Sequence, residues 1–247
     1  MSGAYLQEIF SSVQGEGPFV GCRQVFIRLA GCNWTCTYCD TPTDPAPKTW
    51  VMEKTPGCRN FMTLANPVEP VELAEMITSH YDLTLHHSVS LTGGEPLLHT
   101  QFLKKLIPGI CGTRAGIFLE TNGTLPDKLS SVIDWVDIVS MDVKLESSTG
   151  TKTPWDAHKR FLTVAARKKV YVKVVVSAST KEAEIEQTGK LIYSIDPEIE
   201  LILQPVTARG GIVTPSVDRV LRLQERALKI LQNVRVIPQT HLMMGQL

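Results

Sequence analysis

Short apolar segments rich in β-branched residues recur along the chain and alternate with segments of helical periodicity. They lie at 23–29, 88–92, 117–121, 137–142, 169–177, 199–205 and 233–238. Each is nearly continuous in apolar content, which is typical of parallel strands that are buried on both faces. Strands that alternate with helices in this way favour an α/β fold with right-handed crossovers and a mostly parallel sheet.

Three of the intervening segments carry signals for the start of a helix. Thr100 precedes one of them, Ser179 and Thr180 precede a second, and Thr214 with Pro215 precedes the third. A hydroxyl can cap the free amides of a first turn, and proline fits the first helical position. In the third segment the spacing predicts one core-facing stripe. The stripe comprises Val217, Val220, Leu221, Leu228 and Leu231.

The number of predicted strands approaches that of a closed βα barrel. Eight βα units typically take about 250 residues, and roughly the first 20 of the 247 residues here do not have the pattern of a strand. We therefore expect a partial, open βα barrel. We expect residues 1–247 to form a single domain, with an irregular segment at about 42–70; the region 45–85 contains no motif that can be matched.

Charge and hydropathy argue against a nucleic-acid-binding, membrane or secreted protein. The 25 Lys and Arg residues balance 25 Asp and Glu residues, and no basic block occurs, which argues against non-specific nucleic-acid binding. No apolar run reaches the roughly 18 residues of a membrane helix. The N-terminal sequence lacks the basic-then-apolar profile of a signal peptide. We expect a cytoplasmic protein that binds neither nucleic acid nor membrane directly.

Three of the six cysteines form a compact motif, Cys32-x-x-x-Cys36-x-x-Cys39. In a reducing cytosol, clustered thiols indicate metal or redox chemistry more often than disulfides. Zinc usually takes four ligands in a structural site, but the nearest histidine in sequence is His80, and Asp40 would be an unusual fourth ligand. A 4Fe–4S cluster on three thiolates keeps one iron open for an outside ligand, and this is the favoured interpretation.

The remaining cysteines, at positions 22, 58 and 111, show no second cluster motif. We expect them to be buried and to behave as small hydrophobic residues. Polar motifs instead follow the predicted strands, where parallel α/β folds place their chemistry. TGGEP, TNGT, DVK and QPV each stand directly after one strand. In TGGEP, glycine allows the backbone to approach a ligand closely and to present a carbonyl to a cationic amino group.

The cysteine motif, with Tyr38 before its last cysteine, and Thr92-Gly93-Gly94-Glu95-Pro96 one strand later resemble the radical S-adenosyl-L-methionine (SAM) superfamily. The resemblance implies a 4Fe–4S cluster whose open iron is chelated by the amino and carboxylate groups of SAM. The reduced cluster then cleaves SAM to methionine and a 5′-deoxyadenosyl radical. It also implies a set of SAM-binding residues. They are Tyr38, Cys39, Asp40, Gly94, Glu95, Asn122, Ser140, Lys144 and Gln204.

Further motifs resemble one family of these enzymes, the 7-carboxy-7-deazaguanine synthases. They include Gln14-Gly15-Glu16-Gly17, the F-x-R-x-x-G-C run around Arg28, and Pro238-Gln239-Thr240-His241. The resemblance implies ring contraction of 6-carboxy-5,6,7,8-tetrahydropterin to 7-carboxy-7-deazaguanine with release of ammonia, in 7-deazapurine (queuosine-type) biosynthesis. It further implies Mg²⁺, a homodimer, and a reducing protein such as flavodoxin or ferredoxin.

The same resemblance implies the substrate and magnesium ligands, for which ordinary structural roles stay open. Arg28 offers a two-pronged donor for the substrate carboxylate, and the turn at Gln14, Gly15 and Glu16 offers acceptors for the pterin N–H groups. Thr41 offers a hydroxyl to Mg²⁺. Thr92 and His241 complete the substrate set. The alternatives are a surface salt bridge for Arg28, a plain turn at 14–16, a turn residue at Thr41, and a structural histidine.

Two other functions are compatible with the three-cysteine motif. An activase that installs a glycyl radical on a partner protein would share the cluster and SAM, but it would need no pterin-sized pocket. A non-catalytic metal- or cluster-binding module would need neither TGGEP nor the polar residues at the strand ends. Gln14-Gly15-Glu16-Gly17 and Arg28 argue against the activase.

Overall fold

The computed structural model describes residues 3–39, 41, 44–208 and 211–245. Within these residues the chain forms a ten-stranded sheet. Its strands are β1 (Leu6–Val13), β2 (Arg23–Leu29), β3 (Thr49–Glu53), β4 (Phe61–Ala65), β5 (Ser88–Gly93), β6 (Ile117–Thr121), β7 (Ile138–Asp142), β8 (Lys169–Val176), β9 (Glu200–Pro205) and β10 (Val234–Val236). All seven strands predicted from the apolar segments are present.

The strand order is β10-β9-β8-β7-β6-β5-β2-β1-β3-β4, so the sheet has two free edges and does not close into a barrel. From β2 to β10 every neighbouring pair is parallel. β1 runs antiparallel to β2, β3 pairs parallel with β1, and β4 is antiparallel to β3. The expected open, mostly parallel α/β sheet is confirmed.

Two expectations for the N-terminal third are wrong. The first 20 residues contain β1, a long strand, and the segment at 42–70 contains the β3–β4 hairpin. Neither region shows the continuous apolar pattern that predicts a buried strand, because both lie at the edge of the parallel sheet, where only part of each strand is buried. Trp50 and Met52, for instance, are buried, but the half-buried Val51 lies between them and the exposed Thr49 precedes them.

Seven α-helices occur in the described part of the chain, between the strands. They are α1 (Pro70–His80), α2 (Thr100–Leu106), α3 (Pro126–Ser130), α4 (Glu146–Thr149), α5 (Trp155–Ala165), α6 (Glu182–Tyr193) and α7 (Val217–Leu228). Their apolar faces join one face of the sheet in the main hydrophobic core. The opposite face carries a smaller cluster around Phe118 and Tyr171, and beside it the sheet is polar. None of these helices is long and apolar enough to cross a bilayer.

The helix-start signals correctly predict where helices occur, but they do not identify the residues that cap them. Thr100 lies inside α2, and Ser216 caps α7 by accepting the backbone N–H of Arg219 at 3.3 Å. The predicted stripe on α7 is also wrong, since Val217, Leu221 and Leu228 are 75%, 55% and 48% exposed. The buried side of α7 instead carries Val220, Leu223 and Ala227, followed by the buried Leu231. The spacing of apolar residues is equally compatible with this side of the helix.

Candidate active site

The polar face of the sheet opens into a cavity of about 740 Å³ at the carboxyl ends of the parallel strands. This volume lies within the usual range for a ligand site. The predicted site residues line it, with two exceptions. Asp40 falls outside the described residues, and Glu95 is fully buried behind the cavity wall.

The three-cysteine loop follows β2 and is packed against the TGGEP turn that follows β5. The backbone N–H of Glu95 donates to the carbonyl of Gly31 at 2.9 Å. A Cβ added to Gly94 would lie 1.9 Å from that same carbonyl oxygen. Glycine at 94 is therefore required by the contact between two backbones, which brings the turn against the start of the cysteine loop.

Cys32, Cys36 and Cys39 all face the cavity as free thiols. Burial raises the pKa of the Cys32 and Cys36 thiols, so metal binding must displace their protons. Among the described residues, no three His, Cys, Asp or Glu side chains converge on a point that suits a single ion. A cubane cluster suits this loop better than zinc, because each thiolate then binds a different iron and the sulfur atoms stay further apart.

Asn122 connects the end of β6 to the cysteine loop. Its side-chain Nδ2 donates to Asn33 Oδ1 at 2.8 Å and lies 3.9 Å from Cys32 Sγ. Asn33 in turn donates to Thr124 Oγ1 at 2.8 Å. Asn122 was predicted to bind SAM, and in the structure its amide is used to hold the cysteine loop against the strand ends.

Glu95 organises the same region from behind. Its carboxylate accepts the backbone N–H groups of Leu97 at 3.0 Å and Asn122 at 2.8 Å, and the Thr121 hydroxyl at 2.9 Å. Burial raises the pKa of the Glu95 carboxyl to about 7, although these hydrogen bonds oppose the shift. The structure thus gives Glu95 a positioning role, with no exposure to the cavity.

Lys144 and Tyr38 approach each other above the end of β7. The Lys144 ammonium pairs with Asp142 at 2.8 Å and lies 5.5 Å from the centre of the Tyr38 ring. The backbone N–H of Lys144 donates to His158 Nε2 at 3.3 Å, and Nδ1 of that ring bonds the Gly123 carbonyl at 3.0 Å. Burial lowers the pKa of His158 to about 4, so the ring is neutral and acts as a fixed brace.

Glu16 is held by three partners across the cavity floor. Lys173 forms an ion pair with it, and the side-chain amides of Gln204 and Gln239 donate to its Oε1 at 3.0 and 2.9 Å. Burial alone would raise the pKa of the Glu16 carboxyl, but Lys173 and the hydrogen bonds prevail and lower it to about 2. Asp142 Oδ1 and Gln204 Oε1 are buried here without a hydrogen-bond partner among the described residues. These two acceptors suit a ligand that donates N–H or O–H groups.

The C-terminal segment closes one side of the cavity over the Gln14-Gly15-Glu16-Gly17 turn. The backbone N–H of Thr240 donates to the Gly15 carbonyl at 2.9 Å. A Cβ on Gly15 would lie 2.1 Å from His241 Nδ1, so glycine makes room for the histidine. This contact places His241 in the cavity wall, where it is available to a ligand.

Arg28 points from β2 toward the cavity and is already paired. Its Nε donates to Glu8 Oε1 at 2.7 Å, and its guanidinium lies 6.0 Å from the centre of the Phe10 ring. Only the outer nitrogen atoms of the guanidinium therefore stay available for a carboxylate.

The chain is similar to known proteins over almost its whole length. The radical SAM superfamily model matches residues 26–177. A 7-carboxy-7-deazaguanine synthase from Geobacter sulfurreducens is 43% identical over 247 residues, which cover 99% of this chain and 98% of that protein. This chain belongs to the 7-carboxy-7-deazaguanine synthase family of radical SAM enzymes.

A second member of the family and one solved structure are also similar to this chain. A 7-carboxy-7-deazaguanine synthase from Archaeoglobus fulgidus is 32% identical over 98% of this chain and 98% of its own length. The fold resembles that of QueE from Escherichia coli, with a TM-score of 0.59, 23% identity and coverage of 98% of this chain and 96% of that one. The 4Fe–4S cluster and SAM are the cofactors that membership of this family implies.

Several cavity residues were missed by the sequence analysis. Glu120 directly precedes the TNGT motif and Asp142 begins the DVK motif, so their position at strand ends was the available signal. Lys173 lies inside β8 and Arg59 in the β3–β4 turn, and neither belongs to a recognisable motif. The expectation of buried cysteines outside the cluster is wrong for Cys58 and Cys111, which are exposed.

Proposed function

We propose that the enzyme converts 6-carboxy-5,6,7,8-tetrahydropterin to 7-carboxy-7-deazaguanine and ammonia, which provides the precursor of 7-deazapurines. The observation that carries the proposal is the distribution of charge in the cavity. Among the described residues, Glu120 is the lining carboxylate that has no ion-pair partner, whereas Glu8, Glu16 and Asp142 are each paired with a cation.

Glu120 is held in place by neutral donors. Gln14 Nε2 and the Ser90 hydroxyl donate to Oε1 at 2.8 and 3.2 Å, and the Thr92 hydroxyl donates to Oε2 at 2.7 Å. An anion fixed in this way is suited to a neutral ligand edge that presents several N–H groups. The pterin has such an edge in its amino group and adjacent ring N–H, so Glu120 would orient it.

Other residues of the cavity would bind the cluster, SAM and the carboxylate of the substrate. Cys32, Cys36 and Cys39 would hold the cluster, and Gly94, Ser140, Lys144 and Gln204 would contact SAM. When bound, the cluster and SAM supply a 5′-deoxyadenosyl radical, which removes a hydrogen atom from the substrate. Phe10 and Phe26, whose rings stack with centroids 5.0 Å apart, form an apolar wall that limits access of water. Arg28 would bind the substrate carboxylate.

The proposed reaction is tested by anaerobic incubation of the reconstituted protein with SAM, dithionite and the carboxytetrahydropterin. Mass spectrometry should detect 7-carboxy-7-deazaguanine, with many turnovers per SAM because SAM is regenerated. SAM cleavage without the deazaguanine product would contradict the proposed substrate. An unrelated pterin without the carboxylate serves as the negative control.

Glu120→Gln should raise KM for the carboxytetrahydropterin by about tenfold to a hundredfold, the range expected when a charge-assisted hydrogen bond becomes a neutral one. The fold should persist, because the Ser90 and Thr92 hydroxyls can accept from the new amide as well as donate. Steady-state kinetics checks the prediction, and Glu225→Gln at the surface is the control. An unchanged KM would exclude Glu120 from the substrate site.

Thr41 faces the cavity just beyond the cysteine loop and is our candidate ligand for Mg²⁺. If its hydroxyl binds the ion, Thr41→Ala should blunt the stimulation of activity by Mg²⁺ and leave SAM binding unchanged. Activity titrated against Mg²⁺ for both proteins checks this. Superimposable curves would mean that Thr41 is a turn residue only.

Family membership also supports three broader inferences. We infer a homodimer, reduction by a small electron-transfer protein such as flavodoxin or ferredoxin, and a cytoplasmic location. Static light scattering and reduction assays with purified flavodoxin would test the first two.

A further inference from the structure

Among the described residues, four cationic side chains line the cavity, and three of them are paired with carboxylates. Arg28 pairs with Glu8 at 2.7 Å, Lys144 with Asp142 at 2.8 Å, and Lys173 with Glu16. The fourth is Arg59, for which the described residues provide no carboxylate partner. Its Nη1 donates to the backbone carbonyl of Gly245 at 3.3 Å.

Arg59 lies in a turn that a buried carboxylate holds in place. Glu53 is fully buried, and its carboxylate accepts the backbone N–H groups of Ser11 at 2.8 Å, Gly57 at 2.9 Å and Arg59 at 2.9 Å. Arg59 itself has a φ of 54°, a backbone conformation that costs free energy for a residue other than glycine. The buried carboxylate therefore fixes the turn and aims it at the cavity.

Arg59 and Arg28 share one wall of the cavity. Phe10, Phe61 and Glu8 line the space beside Arg59, and Phe10 and Glu8 are also the neighbours of Arg28. An anion bound against this wall would thus meet both guanidinium groups. Because Glu8 offsets the charge of Arg28, Arg59 is the one described residue that gives this wall a net positive charge.

We propose that Arg59 is a specificity-determining residue that binds the substrate carboxylate together with Arg28. This proposal rests on the proposed function. Arg28 supplies directional hydrogen bonds, and Arg59 supplies the uncompensated charge that distinguishes a carboxylated pterin from an uncharged one. Without Arg59, repulsion of the substrate carboxylate by Glu8 would offset its attraction to Arg28.

The test compares Arg59→Gln, Arg59→Lys and Lys54→Gln, all in the anaerobically reconstituted, SAM-loaded enzyme. Lys54 is exposed in the same turn and is absent from the cavity wall, so its variant removes the same charge from a matched position. Turnover gives KM and kcat for the carboxytetrahydropterin. Equilibrium dialysis gives the affinities for 6-carboxypterin and for pterin without the carboxylate.

Arg59→Gln should raise KM about tenfold or more and change kcat less than about twofold, since a charge-assisted contact made in the bound state is lost. It should weaken 6-carboxypterin binding by a similar factor and leave pterin binding unchanged. Arg59→Lys should recover part of the lost affinity. Added salt should narrow the difference in 6-carboxypterin affinity between the wild type and Arg59→Gln, because Arg59 is exposed and salt screens its charge. Lys54→Gln should behave like the wild type.

Two results would overturn the proposal. If Arg59 serves only to fasten the C-terminal segment through Gly245, Arg59→Gln will weaken both pterins equally. If it serves no role, KM will match that of Lys54→Gln. Failure of the wild type to form the deazaguanine would instead contradict the proposed function, and the dialysis comparison would still report on Arg59.

Discussion

Replacing Cys32, Cys36 or Cys39 singly by alanine will remove the 4Fe–4S cluster and with it all cleavage of SAM. Each thiol follows the β2 strand in one loop and faces the same cavity, and a cubane that already has an open iron cannot lose a further thiolate and stay bound. Wild-type protein reconstituted without oxygen should contain about four irons per chain with matching labile sulfide. Metal and sulfide analysis, with 5′-deoxyadenosine measured in parallel, checks this.

The remaining cysteines provide matched controls. Cys22→Ala, Cys58→Ala and Cys111→Ala should keep the wild-type iron content, because these residues do not line the cavity. Stoichiometric zinc without labile sulfide in the anaerobic wild type would contradict the cluster and restore the structural zinc interpretation.

Gly94→Ala will disrupt the site through sterics alone. The new Cβ would lie 1.9 Å from the Gly31 oxygen and 2.5 Å from its carbonyl carbon, and both atoms belong to backbone that cannot rotate away. The TGGEP turn and the cysteine loop must then separate. We expect a loss of about 3 kcal/mol or more in the free energy of unfolding, as for other severe core clashes.

Thermal denaturation under anaerobic conditions and iron content measure the effect of Gly94→Ala. Gly150→Ala is the control, because a Cβ there meets no atom within 4 Å although its φ is 75°. That variant should lose about 1 kcal/mol to backbone strain and keep its cluster. If Gly94→Ala keeps both its iron and its melting temperature, the two loops are not held together as tightly as their contact suggests.

The parallel strands could be predicted because they are buried on both faces. Such strands are nearly continuous apolar runs, and that property is local in the sequence. β1 and the β3–β4 hairpin were not predicted because each of these strands is only partly buried, so polar residues interrupt or flank its apolar residues. On α7 the periodicity is compatible with two different buried sides, and packing against α6, β9 and β10 selects the side with Val220, Leu223 and Ala227.

The sequence by itself determined the family and pointed to the TGGEP turn and to the candidate cluster ligands, because each is recognised from short spacings within one loop. Tertiary structure alone decided how the charges pair. Glu16 and Lys173 are 157 residues apart, and Glu8 meets Arg28 through the register of β1 on β2. Since such partners meet only when strands align, local sequence cannot reveal that Glu120 and Arg59 are left without counter-charges among the described residues.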